Sequence, residues 1–184
     1  MRGNSVAADV RRRTLALTVV LLVMSGCAKH DATLAQAREL FERTVTLYHL
    51  PSAQADGAKR AELLARAAAG YEQLLRDCPG QTHWCAQALR SLGNVRAAQG
   101  RTSEALLLYE RVARNYPRED WEVLQAWKAA ADFLFDAGQL RDAAAVYRRI
   151  IDRFAITDAP PVVELVVHAA KRRIANVDVA RHGL

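Results

Sequence analysis

The chain has little of what most folds other than helical ones require. Nine glycines and five prolines in 184 residues are too few for a loop-rich or low-complexity polypeptide. Three cysteines do not make a disulfide scaffold. Aromatic residues amount to 7%, so a core must be assembled from Leu, Ala, Val and Ile. That composition favours thin helix-on-helix packing over a deep sheet core. Catalytic signatures are also missing: there is no P-loop, no Gly-rich dinucleotide turn, no GxSxG elbow and no HExxH. The five histidines, His30, His49, His83, His168 and His182, are scattered without an accompanying nucleophile. Neither catalysis nor a cofactor is expected.

What is present is helix-forming. Ala, Leu, Arg and Glu dominate, all with good helix propensity. The net charge is +6, but four arginines against Asp9 place half of it in the first 26 residues. The remaining excess is spread along the chain rather than clustered, which argues against a nucleic-acid partner.

The first 26 residues read as a leader. Arg11, Arg12 and Arg13 precede an apolar run of ten residues, Leu15 to Met24. A bilayer span needs about 20, whereas ten suits the core of a signal peptide. Ser25 and Gly26 then precede Cys27, and Met24-Ser25-Gly26-Cys27 resembles the lipobox of bacterial lipoproteins. The resemblance implies cleavage before Cys27 and a lipid on its sulfur, with 27–33 as a tether. Ala28 after the cysteine implies the outer membrane, facing the periplasm. The other reading is an ordinary secretory leader with Cys27 a bystander.

Beyond the leader the dominant feature is a repeat of 38 residues. Tyr71, Tyr109 and Tyr147 share that interval, as do Ala67, Ala105 and Ala143, and Leu89, Trp127 and Leu165. Gly100 and Gly138 agree with it, and so do Pro79 and Pro117. Within one unit, Leu89, Leu92, Gly93 and Val95 mark one helical face and Ala105, Leu108, Tyr109 and Val112 another. Gly100 should end the first helix in a left-handed cap, Thr102 or Ser103 should cap the second, and Pro117 should stop it. Gly93 and Ala105 should be small where the helices of a hairpin approach, and Tyr109 should fill space between hairpins. This pattern resembles the tetratricopeptide repeat, and in particular the lipoprotein and periplasmic members tied to outer-membrane β-barrel assembly and the Tol–Pal system.

The resemblance implies an all-α fold: an α-solenoid of about three such hairpins spanning 34–178, closed by a C-terminal capping helix over Val162 to Val177. A first helix is expected from about Leu34 to Leu50, a looser stretch from Pro51 to Gly57, and a loose tail over 179–184. It also implies a concave surface lined by first helices. Arg90, Asn94, Lys128 and Asp132 project there, with Phe135 adding an apolar contact. In some family members a Lys or Arg and an Asn at the positions of Arg90 and Asn94 hold a peptide carboxylate and backbone. Asp132 and Asp136, with Lys128 able to pair with Asp132, read as a solvated or groove-lining face. Lys171, Arg172 and Arg173 read as a solvated basic run or a lipid contact.

Cys78 and Cys85 flank Pro79-Gly80 at the handover between hairpins. Their repeat equivalents, Tyr116 and Phe154 for one and Val123 and Pro161 for the other, are apolar, so the cysteines should lie side by side. In an oxidising compartment they suit a disulfide, and they equally suit two buried thiols. With His83 they fall one ligand short of a structural zinc site, and no metal is expected. The expected function is that of a lipid-anchored adaptor in the bacterial envelope. It would bind a periplasmic or outer-membrane protein or peptide segment, for example in outer-membrane protein assembly. The alternative is a structural part of a secretion, motility or surface machine.

Overall fold

A computed structural model describes residues 32–182, with side chains to residue 177. The leader and Cys27 lie outside the described residues. Seven helices follow one another: α1 over 32–52, α2 Gly57–Asp77, α3 Thr82–Ala98, α4 Thr102–Asn115, α5 Asp120–Asp136, α6 Leu140–Phe154 and α7 Pro161–His182. Each packs on its chain neighbours, and α3 also touches α5, the first helix of the next hairpin. No strand occurs among the described residues. The fold is an all-α solenoid of three hairpins, α1–α2, α3–α4 and α5–α6, closed by α7.

The same local chemistry makes each turn. After α3, Gly100 N–H donates to Ala97 O and Arg101 N–H to Arg96 O; after α5, Gly138 donates to Phe135 O and Gln139 to Leu134 O. These are Schellman closures, which need a left-handed residue, and the two glycines sit at φ +75° and +73°. Between hairpins, Gln81 N–H donates to Cys78 O and Glu119 N–H to Tyr116 O, with Pro79 and Pro117 in the second position of each β-turn. The repeat of 38 is therefore a repeat of hydrogen bonds as well as residues.

The repeat positions form the core. Ala67, Tyr71, Leu89, Ala105, Tyr109, Trp127, Ala143 and Tyr147 are all buried in one continuous cluster. Gly93 is small for a specific reason: a Cβ there would lie 2.6 Å from Cε1 of Tyr109. Tyr109 thus lies across its own hairpin, whereas the sequence pattern had suggested that it fills space between hairpins.

Five expectations need correction. Leu165 does not continue the Leu89–Trp127 column; it is 69% exposed. The last inter-hairpin loop, Ala155 to Pro160, lacks the proline turn and is two residues longer than Tyr116 to Glu119. That shifts α7 so that Val163, Val167, Ala170, Ile174 and Val177 form its packed stripe, while Pro161 is exposed. Thr102 is not a cap, because α4 begins at Thr102 itself and Arg101 occupies the cap position without a side-chain bond. The looser stretch begins later than Pro51, since Pro51 and Ser52 are still helical. Proline has no N–H to give, and the helix widens to a π turn at Val45–His49, where Leu50 N–H donates to Val45 O. Ser52 Oγ donates to the carbonyl of His49 at 2.6 Å, in the last turn of the helix. Finally, α1 begins two residues before Leu34, and α7 runs to His182, into the segment expected to be a loose tail.

Candidate partner-binding surface

The 38-residue register carries Arg90 and Lys128 to matching positions on α3 and α5, and Asn94 and Asp132 one turn further on. On each hairpin the repeat tyrosine reaches back to this row. Tyr109 Oη donates to Asn94 Oδ1 at 2.8 Å, and Tyr147 Oη donates to Asp132 Oδ1 at 2.6 Å. In the first hairpin His49 Nδ1 and Tyr71 Oη share a hydrogen bond of 2.7 Å. Burial pushes Tyr71 and Tyr109 up to about 12, with the nearby Arg90 opposing the rise. Tyr147 is also raised, by burial first and then by its bond to Asp132. Burial and Arg90 lower His49. The hydroxyls therefore stay protonated at neutral pH, and those of Tyr109 and Tyr147 serve as fixed donors to this row.

The five expected groove residues do not form one site. Arg90 is engaged by Glu122 through Nε and Oε2, and the carboxylate of Glu122 is almost wholly buried. Asn94 is occupied by Tyr109. The pair expected to grip a peptide backbone and carboxylate is already bound within the protein. Glu122 was not visible from the sequence, because its repeat equivalent is Trp84 and no spacing rule ties it to Arg90.

Lys128 and Asp132 behave differently. Lys128 Nζ pairs with Asp132 Oδ2 at 2.6 Å, and both side chains remain partly exposed. Together they line a half-open cavity of about 440 Å³ between α5, α6 and α7. Its floor is apolar, from Ile150, Val166 and Ala170, and α7 adds Arg172 and Arg173 at its wall. Phe135 stands beside this cavity rather than in it, beneath the Arg173 guanidinium at 4.2 Å from the ring centre. The basic run Lys171–Arg173 is thus split by helical geometry. Lys171 points to a neighbouring hollow near Ala155, whereas Arg172 and Arg173 turn to the cavity. With Lys128 paired to Asp132, Arg172 and Arg173 are the open charges, set against Asp136, which is near enough to act on Tyr147, so the cavity keeps a modest positive excess above an apolar floor. That arrangement suits an acidic side chain or carboxylate of a guest segment.

The cysteines lie together but as two thiols. Both are buried, and Cys85 Sγ donates to Cys78 O at 3.2 Å, so no disulfide joins them in this structure. Burial raises both thiols. His83 turns away from them, to Glu119 Oε2 at 3.1 Å.

The central hairpin, with its Schellman turn, its tyrosine over glycine and its proline turn, spans the residues that match a known family. Residues 87–118 match the tetratricopeptide repeat family model. This hairpin is a tetratricopeptide repeat. No curated protein and no solved structure gives a significant match to the chain. Tetratricopeptide arrays are protein-interaction scaffolds, and the match suggests that role for this chain. Among the described residues, no helix is long and apolar enough to cross a membrane.

Proposed function

We propose that the chain is a lipid-anchored adaptor of the bacterial envelope that captures an acidic segment of a partner protein in the cavity between α5 and α7. The observation that carries the binding half is the convergence of Lys128, Arg172 and Arg173 over an apolar floor. The anchoring half rests on the leader and the lipobox-like Met24-Ser25-Gly26-Cys27. Stable attachment follows from several acyl chains, each methylene adding about 0.8 kcal/mol. The partner is a periplasmic or outer-membrane protein, with outer-membrane protein assembly as the process favoured by the resemblance of the repeats.

Two measurements test this reading separately. Metabolic labelling with a radioactive fatty acid should mark the full chain and leave Cys27→Ala unmarked; label on both, or on neither, removes the anchor. For binding, Lys128→Ala/Arg173→Ala should lose the partner recovered by crosslinking in envelope fractions. Arg90→Lys, on the internally paired residue, should keep it. Equal recovery by both variants would discard the cavity as the contact.

A further inference from the structure

A second groove lies between the second helices of successive hairpins, α2 and α4, and shares no lining residue with the cavity between α5 and α7. It encloses about 500 Å³. Its floor is formed by Leu75, Leu92 and Leu108, and Leu107 rises at its edge, 62% exposed.

The charges along it are unevenly matched. At one end Arg96 is held by Glu72 at 2.6 Å and lies 3.8 Å from Glu104, which also pairs with Arg101 at 2.6 Å. At the other end stand Arg76, in the last turn of α2, and Arg111 and Arg114, on the final turns of α4. Among the described residues these three guanidinium groups have no carboxylate partner. The groove is neutral where the acids are and carries three uncompensated cations where the helices end.

Leu107, Arg111 and Arg114 follow one another at helical spacing, so the apolar edge and the charged end belong to one ridge of α4. A helix laid parallel to that ridge would meet apolar surface first and positive charge last. The 14 residues of α4 give it a length of roughly 20 Å, room for about four turns of a guest helix.

We propose that this groove is a second docking surface, which receives an amphipathic helix of a partner protein whose leucine-type stripe ends in acidic residues. The shape favours a helix over a flat bilayer. Leu92 and Leu108 are buried at the bottom of the groove, so the open apolar surface is a narrow strip of Leu75 and the exposed Leu107 between α2 and α4, which suits one guest helix better than a broad bilayer face. The charge favours an acidic end on the guest over a basic or neutral one. With a separate surface between α5 and α7, the chain would hold two partners at once.

The test uses the full chain and two synthetic helical peptides with the same leucine stripe, one ending in three glutamates and one in three lysines, read by fluorescence anisotropy. The glutamate peptide should bind at least about tenfold more tightly than the lysine peptide. Arg111→Glu/Arg114→Glu should weaken the glutamate peptide by a similar factor, and Leu107→Asp should weaken both. Lys128→Ala/Arg173→Ala should leave both unchanged, which separates this groove from the other cavity. Circular dichroism checks that each variant folds, and Arg111→Gln/Arg114→Gln replaces the reversal if it does not. Three results would overturn the proposal. The peptides could bind alike. Phosphatidylglycerol vesicles could depend on Arg111 and Arg114 while the glutamate peptide does not bind. Sedimentation could show that the groove joins two copies of the chain.

Discussion

Replacing Gly93 by alanine sets two opposed effects against each other, and the sign of the result decides whether the hairpin is packed as described. In a helix interior, alanine is favoured over glycine by about 1 kcal/mol. Were α3 merely a helix in a loose bundle, Gly93→Ala would stabilise it. In the structure the added Cβ would meet Tyr109 at 2.6 and 2.9 Å, well inside the ordinary 3.4–4 Å range. Tyr109 has little freedom to yield, because its ring is buried and its hydroxyl is tied to Asn94 at 2.8 Å. Overpacking of this kind costs about 1–3 kcal/mol. The net expectation is a loss of about 0–2 kcal/mol, in place of the gain of about 1 kcal/mol a loose helix would show, which for a chain this size lowers Tm by up to roughly 8 °C.

The assay is thermal and urea unfolding followed by circular dichroism, with Gly80→Ala as control. A Cβ on Gly80 meets nothing within 4 Å, so that change should stay within about 0.5 kcal/mol. Tyr109→Ala, alone, should cost about 3–5 kcal/mol, in the range of large aromatic truncations. In that background Gly93→Ala should change sign and become stabilising, since the ring it struck is gone. A Gly93→Ala protein about 1 kcal/mol more stable than the parent, or effects that add in the double variant, would refute the close contact between α3 and α4.

Four further outcomes follow from the same geometry. Arg90→Ala leaves the buried Glu122 without its cation and should cost about 3–5 kcal/mol, whereas Arg90→Met/Glu122→Leu should recover most of it; urea unfolding of the single and double variants checks this. Cys78 and Cys85 are buried with raised pKa values, so in the native reduced chain they should resist iodoacetamide at neutral pH and react once urea unfolds it. Oxidising them should remove both free thiols and stabilise by on the order of 2 kcal/mol, measured by thiol counting and a melt. Tyr71 and Tyr109 titrate near 12 when folded and near 10 when unfolded, so the unfolded state loses protons first. Stability is then intact below pH 10 and falls as pH rises toward 12, and tyrosinate absorbance should appear together with unfolding. His49 works in the opposite direction. Its folded value is lowered, so stability present above about pH 6.5 declines as the unfolded chain protonates first, and His49→Gln should flatten that decline.

Much of the architecture could be read from residue spacing. Tyr71, Tyr109 and Tyr147, the glycines at 100 and 138 and the prolines at 79 and 117 mark burial, left-handed turns and stops. Those properties are local: a buried stripe is written in steps of three and four, and a left-handed φ selects glycine wherever it occurs. The candidate surface was less legible. Arg90 and Asn94 hold their expected places on α3, yet Glu122 and Tyr109 occupy them, and Arg172 and Arg173 supply the open charge instead.

The tertiary structure alone decided which polar groups meet. Glu122 finds Arg90 because α3 and α5 lie against each other, and no periodicity within either helix encodes that meeting. Two extra residues in the loop before α7 turn Leu165 to solvent and bring Val167 inward, because a helix delivered two positions later presents a different face. Spacing along one helix is set by its own sequence, while the rotation and offset between helices are set by everything that packs around them.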